Sequence, residues 1–389
     1  MNDLVDHLFR RQSGQIVSTL TRILGPRHLS LAEDVAQDAL VKALQQWPHT
    51  GVPDNPGAWL IQVAKNRALD LLRREASFSA KALDIARAME RPESPAEEMD
   101  DQLAMMFLCC HPEIPREARV ALTLKTVGGF STGEIARAFL IQETAAAQRI
   151  VRAKRAIRDL DLTLELKSLD SVLETLYLMF NEGYSGDGDF AEEAIRLARL
   201  LAAQPATRAP HVHALLALFL LQSARGPGRM DAEGGLLLLS EQDRSLWNGA
   251  MIAEGLRQLD LSADGDRLTT YHLEAGIAAA HATATDFAST DWAYIAEQYD
   301  RLYEINASPV IALNRAVAIW HAEGAEAGLA AAEAIEHHPA LQRYHLLPAT
   351  LGSLWRELGD REKAAEYFRK ALSCECSAAE RRFLKRQVE

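Results

Sequence analysis

The sequence predicts an all-α protein in which two small helical domains, the second a helix-turn-helix, precede a helical-repeat domain. Apolar residues recur every three or four positions in almost every segment, which is the spacing of an amphipathic helix. No segment shows the alternation typical of a strand-rich domain. Near the C-terminus, small and large residues follow the spacing of a tetratricopeptide unit, with a turn at Gly359; these residues are Leu351, Gly352, Trp355, Ala364, Phe368 and Ala371.

Length and composition indicate a soluble chain of two or three domains. The 389 residues are 48% hydrophobic and 25% charged, as in globular proteins. No run reaches the roughly 18 to 20 apolar residues that span a bilayer, and the N-terminal MNDLVDHLFRR has no apolar core of a secretory signal. The four cysteines, Cys109, Cys110, Cys374 and Cys376, do not form a disulfide framework. We therefore expect a reduced, cytoplasmic protein without membrane contact.

The net charge of -12 is unevenly distributed along the chain. Residues 1–160 hold 21 of the 42 basic side chains and 20 of the 54 acidic ones, which leaves 21 and 34 for residues 161–389. Within the first part, residues 116–160 carry nine Lys and Arg against four Asp and Glu, whereas residues 76–115 carry three against eight. A basic module that follows an acidic linker is compatible with nucleic-acid binding.

Two amphipathic helices are predicted before the linker. The first, residues 31–44, has acids and amides opposite an apolar side made of Leu31, Ala32, Val35, Ala36, Ala39, Leu40, Ala43 and Leu44. Pro48, Gly51, Pro53 and Pro56 interrupt the pattern. The second helix runs from Gly57 to about Arg74 and carries basic and amide side chains on its polar side.

Residues 128–160 have the pattern of a helix-turn-helix. Ser131 and Glu134 have the spacing of a capping box. The second helix follows Gln142 and packs through Ala146, Ile150, Ala153 and Ile157, while Gln148, Arg149, Arg152, Lys154, Arg155 and Arg158 form its outer side. Such a helix can enter the major groove, where Gln pairs with adenine and Arg with guanine. The alternative is a solvated basic helix in an ordinary bundle.

Segments AEDVAQDALVKALQQW (32–47) and NPGAWLIQVAKNRALDLLRRE (55–75), together with residues 103–160, resemble the extracytoplasmic-function (ECF) group of sigma-70 factors. The resemblance covers about 160 residues in the right order. By this resemblance, the first segment corresponds to region 2.2, which docks on the clamp helices of RNA polymerase. The second corresponds to regions 2.3 and 2.4, which melt and read the −10 element. Residues 103–160 correspond to region 4, which binds the −35 element.

The resemblance, with the residue types present, implies three sets of contacts. Glu33, Asp34, Gln37 and Asp38 are expected to bind core polymerase, unless they are only a solvated face. The −10 element is expected on Trp59, Lys65, Asn66, Arg67, Arg73 and Arg74, since strand capture needs stacking groups and cations; Trp59 can equally be a core anchor. The −35 element is expected on Ser131, Thr132, Gln142, Thr144, Gln148, Arg149, Arg152, Lys154 and Arg155.

One stretch departs from the family pattern. Where the family has Thr-Val, followed in many members by Lys, this chain has Ala145, Ala146 and Ala147. The hydroxyl and the lysine that would contact DNA at these positions are missing. We therefore expect low affinity for an isolated −35 element.

The chain continues for about 220 residues after region 4, which resembles an ECF subgroup with a tetratricopeptide-like extension. Segments LYLMFNEGYSGDGD (176–189) and EQDRSLWNGAMIAEGL (241–256) resemble that subgroup's characteristic stretches. The extension is expected to regulate the factor and to bind a protein or small-molecule partner; the alternative for both segments is capping and turn chemistry, with Trp247 in the core. The predicted domains are region 2 (1–75), an acidic linker (76–100), region 4 (101–162) and the extension (163–389).

These observations predict a sigma factor that binds core RNA polymerase and promoter DNA, without enzymatic activity and without a cofactor or metal. Cys109, Cys110 and His111 lie in an apolar helix with no second pair at zinc spacing, so core thiols are expected. No nucleotide-binding, nucleophile-elbow or zinc-protease motif occurs in the sequence. The alternatives are a helix-turn-helix regulator that acts without polymerase and a helical-repeat scaffold.

Overall fold

The computed structural model describes residues 2–76, 100–139, 141–158, 168–185, 188–231, 235–376 and 378–388. These residues divide into two compact units, Met1–Arg208 and Ala209–Glu389. Within the described ranges there is no β-sheet, and the extended pairings are two isolated bridges, Met230 with Leu236 and Tyr344 with Glu375. The all-α prediction is confirmed. No helix in the described part of the chain is long and apolar enough to cross a bilayer.

The first unit contains nine helices among its described residues. They are α1 (Asn2–Leu24), α2 (Leu29–Thr50), α3 (Pro56–Ala76), α4 (Asp101–Cys109), α5 (Arg116–Thr126), α6 (Thr132–Ala138), α7 (Glu143–Ile157), α8 (Leu169–Ser185) and α9 (Gly188–Ala203). Helices α1–α3 pack on one another; because they cover the predicted region 2, we call them the region-2 segment. Helices α4–α7 cover the predicted region 4 and are called the region-4 segment, in which α7 packs on α5 and α6.

Helix α2 differs from the predicted one at two points. It continues through Pro48 to Thr50, because the Thr50 hydroxyl and the Gly51 amide donate to the carbonyls of Gln46 and Trp47 at 3.0 Å and complete its last turn. Leu44, which we expected on the apolar side, is 56% exposed. It lies about 120° around the helix from the buried Ala32, outside the buried arc.

Helices α8 and α9 lie in the first unit and within the part of the chain that was predicted as the extension. They pack on each other, and α8 also packs on α5. The rings of Phe130 and Phe190 meet edge to face with centroids 4.5 Å apart, which joins the region-4 segment to α9. The compact units divide between residues 208 and 209.

The second unit contains nine further helices among its described residues. They are α10 (Pro210–Ser223), α11 (Gly249–Leu261), α12 (Thr270–Thr283), α13 (Trp292–Ile305), α14 (Pro309–Glu323), α15 (Ala325–Glu333), α16 (Leu346–Glu357), α17 (Arg361–Ser373) and α18 (Ala378–Val388). Helix α10 is buried on every side from Val212 to Leu221, as expected of a helix that is apolar all round. Most of the later helices pack against the next helix along the chain.

The repeat pattern near the C-terminus is visible in the packing of α16 on α17. Leu351, Ala364, Phe368 and Ala371 are buried. A Cβ at Gly352 would lie 3.1 Å from the Phe368 ring, so a small residue is needed where the two helices approach. The small and large positions predicted from the sequence therefore do form a helix-pair core.

Candidate functional site

The exposed side of α2 combines acids, an amide and apolar groups. Asp34, Gln37 and Asp38 are exposed, and Val41 and Leu44 on the same side of the helix are 48% and 56% exposed. We call these five residues the α2 face. Exposed apolar side chains among polar ones are typical of a surface that binds a protein partner.

Glu33 does not belong to the α2 face. Its carboxylate pairs with the ammonium of Lys154 on α7, and each side chain is only 20% exposed. The carboxylate's other oxygen, Oε1, is buried without a hydrogen-bond partner among the described residues. Glu33, which was predicted to contact polymerase, and Lys154, which was predicted to contact DNA, are thus paired with each other. They lie 121 positions apart, and no local sequence pattern reports such a pairing.

Helix α3 presents most of the residues predicted to bind the −10 element. Asn66, Arg67, Arg73 and Arg74 are exposed, and Lys65 is half-buried. The amide of Gln62 donates to Asn66 at 3.0 Å, and the Arg67 guanidinium lies 2.9 Å from the carboxylate of Asp38. The basic side of α3 and the acidic α2 face therefore meet along one edge.

Trp59 is half-buried at the start of α3. Its ring lies 5.5 Å from the Trp47 ring, centroid to centroid, at 58°, a tilted arrangement typical of aromatic packing. The Trp59 ring therefore packs α3 against α2, and part of it remains accessible.

The helix-turn-helix has the predicted local geometry. The Ser131 amide donates to the Glu134 carboxylate at 2.7 Å, and the Glu134 amide donates to the Ser131 hydroxyl oxygen at 3.1 Å. The capping box predicted from the sequence is confirmed; such caps contribute about 1 kcal/mol to helix stability. The Ser131 hydroxyl is thus engaged in the cap, and Thr132 beside it is half-buried.

Helix α7 buries the four residues expected to pack, Ala146, Ile150, Ala153 and Ile157. Gln142 at its N-cap and four residues along the helix form an exposed surface, which we call the α7 face: Gln142, Thr144, Gln148, Arg152 and Arg155. Arg149 lies beside this face, 3.2 Å from the Glu117 carboxylate. Since Arg149 and Lys154 are both held in ion pairs within the unit, the nine predicted −35 residues do not form one free surface.

The region-2 and region-4 segments are in direct contact. Helix α1 packs against α4, and Arg22 pairs with Asp101 across this boundary. A Cβ at Gly14 would lie 2.0 Å from the carbonyl oxygen of Val127, closer than any real contact, so only glycine allows this approach. We call this packing, together with the Lys154–Glu33 pair, the closed contact. Sequence patterns did not indicate the closed contact, because the side of each helix that forms it has the residue pattern of an ordinary helix surface.

The region-4 segment also contacts α8. The Glu174 carboxylate lies 3.0 Å from the Arg116 guanidinium and 3.5 Å from the Arg119 guanidinium.

The NEGY and DRSLW stretches contain residues that the fold requires. In NEGY, a Cβ at Gly183 would lie 2.2 Å from the Ala191 amide nitrogen, so this glycine allows α8 and α9 to cross. In DRSLW, Asp243 caps a short turn and Trp247 is buried. Gly183, Asp243 and Trp247 thus each have a structural role in the fold.

The two adjacent cysteines are core thiols. Cys109 and Cys110 are fully buried, and their sulfurs lie 3.0 Å and 3.5 Å from the hydroxyls of Thr126 and Thr123. Burial raises the pKa of both thiols. Among the described residues, no three His, Cys, Asp or Glu side chains are grouped so that they could hold a metal ion.

We expect iodoacetamide to alkylate Cys374 and Cys376 in the native chain and to leave Cys109 and Cys110 unmodified. The first pair is partly accessible, whereas the raised pKa of the second pair keeps the thiols protonated, and the thiolate is the reactive form. Peptide mass spectrometry before and after denaturation measures this, and all four thiols should react in the denatured chain. Rapid modification of Cys109 in the native chain would show that α4 opens.

The capped helix-turn-helix and the basic side of α3 define a helical protein of the DNA-binding class. The chain matches the family Sigma-70 region 2 over residues 8–78 and the family Sigma-70, region 4 over residues 104–157. Residues 168–263 match a family of unknown function (DUF6596). Both sigma matches fall on the segments from which the resemblance was inferred.

One relative matches most of the chain, and two sigma factors match less than half of it. Uncharacterized protein R00370 of Rhizobium meliloti (strain 1021) is 37% identical over 93% of this chain and 90% of its own length. RNA polymerase sigma factor CarQ of Myxococcus xanthus is 27% identical over 42% of this chain and 93% of its own length. ECF RNA polymerase sigma factor SigE of Mycolicibacterium smegmatis is 25% identical over 40% of this chain and 60% of its own length.

The chain belongs to the ECF group of the sigma-70 family, in a form with a long helical C-terminal extension. It is an RNA polymerase sigma factor. The matches to region 2 and region 4 do not favour a helix-turn-helix regulator or a scaffold that acts without polymerase, since neither needs region 2.

Proposed function

We propose that this sigma factor binds core RNA polymerase through the α2 face and reads promoter DNA through the basic side of α3 and the α7 face. The observation that carries the proposal is that these three surfaces lie on exposed helix faces, each with the charge that its partner requires. The proposed site of action is the cytoplasm, where polymerase and DNA occur together.

The α2 face suits a partner helix that carries both basic and apolar residues. Asp34 and Asp38 supply negative charge, and Val41 and Leu44 supply apolar surface that is already exposed. Charge complementarity speeds the encounter, and burial of the apolar residues stabilises the complex. Glu33 can join the contact only when Lys154 releases it.

The α7 face suits the major groove. Gln142, Thr144 and Gln148 lie on the N-terminal half of the helix, from which side chains reach base edges. Arg152 and Arg155 follow one turn apart on the same side and show no ion pair with a described residue. We assign Arg152 to a base edge and Arg155 to a phosphate.

The closed contact has to break when both promoter elements are bound. The −35 and −10 elements lie about 25 base pairs apart, which is roughly 85 Å of duplex. A compact unit of the size of Met1–Arg208 is only roughly 40 Å across. We therefore propose that the α4–α7 helices separate from α1–α3 on the promoter, and that the closed contact limits DNA binding by the free factor.

The extension is proposed to act on the region-4 segment through α8. Glu174 holds Arg116 and Arg119 of α5, which supports a direct route from the extension to region 4. Since α8 and α9 complete the core of the first unit, a truncation that tests the rest of the extension should end after Arg208 rather than after region 4.

The experiment that tests the proposal is run-off transcription with purified core polymerase on genomic fragments. We expect the wild-type chain to select discrete start sites. The variant Asp34→Lys should bind polymerase at least tenfold more weakly, because it reverses one of the two negative charges of the α2 face. The matched control is Asp260→Lys, the same charge change at an exposed residue of the second unit, and it should bind normally.

Three results would contradict the proposal. The first is a wild-type chain that does not bind core polymerase, and the second is a bound polymerase that selects no start site. The third is an equal loss of polymerase affinity in the two variants, which would mean that net charge rather than the α2 face sets the affinity.

A further inference from the structure

The second unit contains a cavity that the sigma-factor function does not use. Its volume is about 540 Å³, within the range of small-molecule sites. It lies among α12, α13, α14 and α16, and it is also lined by Arg225 after α10 and by Phe383 on α18. Two apolar side chains at its edge, Leu238 and Leu346, are 43% and 41% exposed.

Five aromatic rings form one continuous wall of this cavity. Trp292 and His321 lie at the centre, with ring centroids 4.4 Å apart. Phe287 contacts both rings at 5.2 Å and 5.1 Å, His281 lies 5.2 Å from Trp292, and Trp320 stacks on His321 at 4.6 Å and 17°. The wall offers a planar ligand large apolar surfaces at the spacing of aromatic packing.

The charged side chains that line the cavity among the described residues are two guanidinium groups and one carboxylate, and the Arg356 guanidinium also donates to the side-chain oxygen of Gln387. Arg225 and Arg356 line the cavity, and its lining carboxylate, Glu357, accepts a hydrogen bond from the Trp320 indole at 3.0 Å. A third guanidinium, Arg244, lies behind the wall, where it donates to the carbonyls of His281 and Ala284 at 2.7 Å and 2.6 Å. A ligand in this cavity therefore meets guanidinium groups beside apolar rings.

These surroundings disfavour the protonated form of His281. Its burial, with further contributions from Arg225, Arg244 and His321, lowers the pKa of His281 to about 4, so the imidazole is neutral near pH 7. Its Nδ1 is buried and has no hydrogen-bond partner among the described residues. An aromatic wall alone would also suit a ligand cation, but the guanidinium groups that disfavour His281 protonation disfavour such a cation too.

We propose that this cavity binds a small planar aromatic molecule that carries one carboxylate. Its ring packs on the wall formed by Phe287, Trp292 and His321, and its carboxylate pairs with the guanidinium groups of Arg225 and Arg356. Charge-assisted pairs between guanidinium and carboxylate are both strong and directional. The inference does not depend on polymerase or promoter binding, because every residue that carries it lies in the second unit.

The test is calorimetric titration of the full-length chain with three naphthalene probes of similar size: 2-naphthoate, 2-naphthamide and 2-naphthylmethylamine. We expect the acid to bind at least tenfold more tightly than the amide, and the amine to bind most weakly. The double variant Arg225→Gln/Arg356→Gln should reduce the acid's affinity to that of the amide and leave the amide's affinity unchanged. The matched control is Arg343→Gln/Arg369→Gln, two exposed arginines of the same unit outside the cavity lining.

Thermal unfolding of each variant checks that the second unit remains folded. If the double variant does not fold, the acid and the amide are compared on the single variant Arg356→Gln, which changes an exposed residue. Phe287→Ala should weaken the acid and the amide by the same factor, because it removes ring contact and not charge. Equal affinities for acid and amide, tightest binding of the amine, an equal loss in the control variant, or no binding of any probe at millimolar concentration would each overturn the proposal.

Discussion

Reversing the charge of either Glu33 or Lys154 should open the closed contact, and reversing both should close it again. Glu33→Lys places two ammonium groups at a site where each side chain is only 20% exposed, and Lys154→Glu places two carboxylates there. Removal of one partner from a buried ion pair destabilises a protein by about 3–5 kcal/mol. This pair lies at a boundary where water can reach the charges once the contact opens. We therefore expect each single variant to shift the equilibrium by about 2–4 kcal/mol towards the open form.

Hydrogen exchange of the amides in α1 and α7 of the free chain measures this opening, and the radius of gyration from small-angle scattering provides a second readout. The double variant Glu33→Lys/Lys154→Glu should recover the protection of the wild type. The matched control reverses the pair formed by Asp38 and Arg67, which joins α2 and α3 with side chains 54% and 44% exposed. Such an exposed pair contributes less than about 1 kcal/mol, so its reversal should leave exchange nearly unchanged.

Gly14→Val provides an independent route to the open form, because its Cβ cannot coexist with the Val127 carbonyl at 2.0 Å. If the closed contact limits DNA binding, Gly14→Val should bind a −35 duplex more tightly than the wild type. Unchanged hydrogen exchange in both Glu33→Lys and Gly14→Val would show that the two segments are not held together by this contact in solution.

Replacement of Arg152 by alanine should weaken binding to a −35 duplex by about 1–3 kcal/mol if Arg152 contacts a base. Arg149→Ala should have the smaller effect, because the Arg149 guanidinium is held by Glu117 at 3.2 Å and has to leave that pair before it can bind DNA. Arg369→Ala, at an exposed residue of the second unit, is the control for loss of one positive charge and should bind normally.

Fluorescence anisotropy with duplexes that carry single base changes separates the two kinds of contact. A base contact relaxes the preference at one position, whereas a phosphate contact weakens all duplexes alike and lowers the salt dependence by about one charge. We expect Arg152→Ala to show the first pattern and Arg155→Ala the second. If Arg149→Ala weakened binding more than Arg152→Ala, the DNA-binding surface of α7 would include Arg149 rather than Arg152.

Local patterns predicted much of the first unit correctly. The capping box of Ser131 and Glu134 and the buried side of α7 were both read from a few neighbouring residues. Such features are predictable because a helix has a fixed period. The spacing of residues in the sequence therefore determines which side chains share a face. Leu44 shows the limit of this reasoning, since its apolar character suggested burial and the structure exposes it on a face where a partner can bind.

The sequence was sufficient for the helical class, the order of the modules, the sigma-70 resemblance and the buried side of α7. The tertiary structure was needed to show which charged residues are free and which are engaged. Lys154 and Arg149 look like their neighbours in the sequence, yet they are held by Glu33 and Glu117. The closed contact and the aromatic cavity join residues from distant helices, and helical periodicity carries no information about which faces meet.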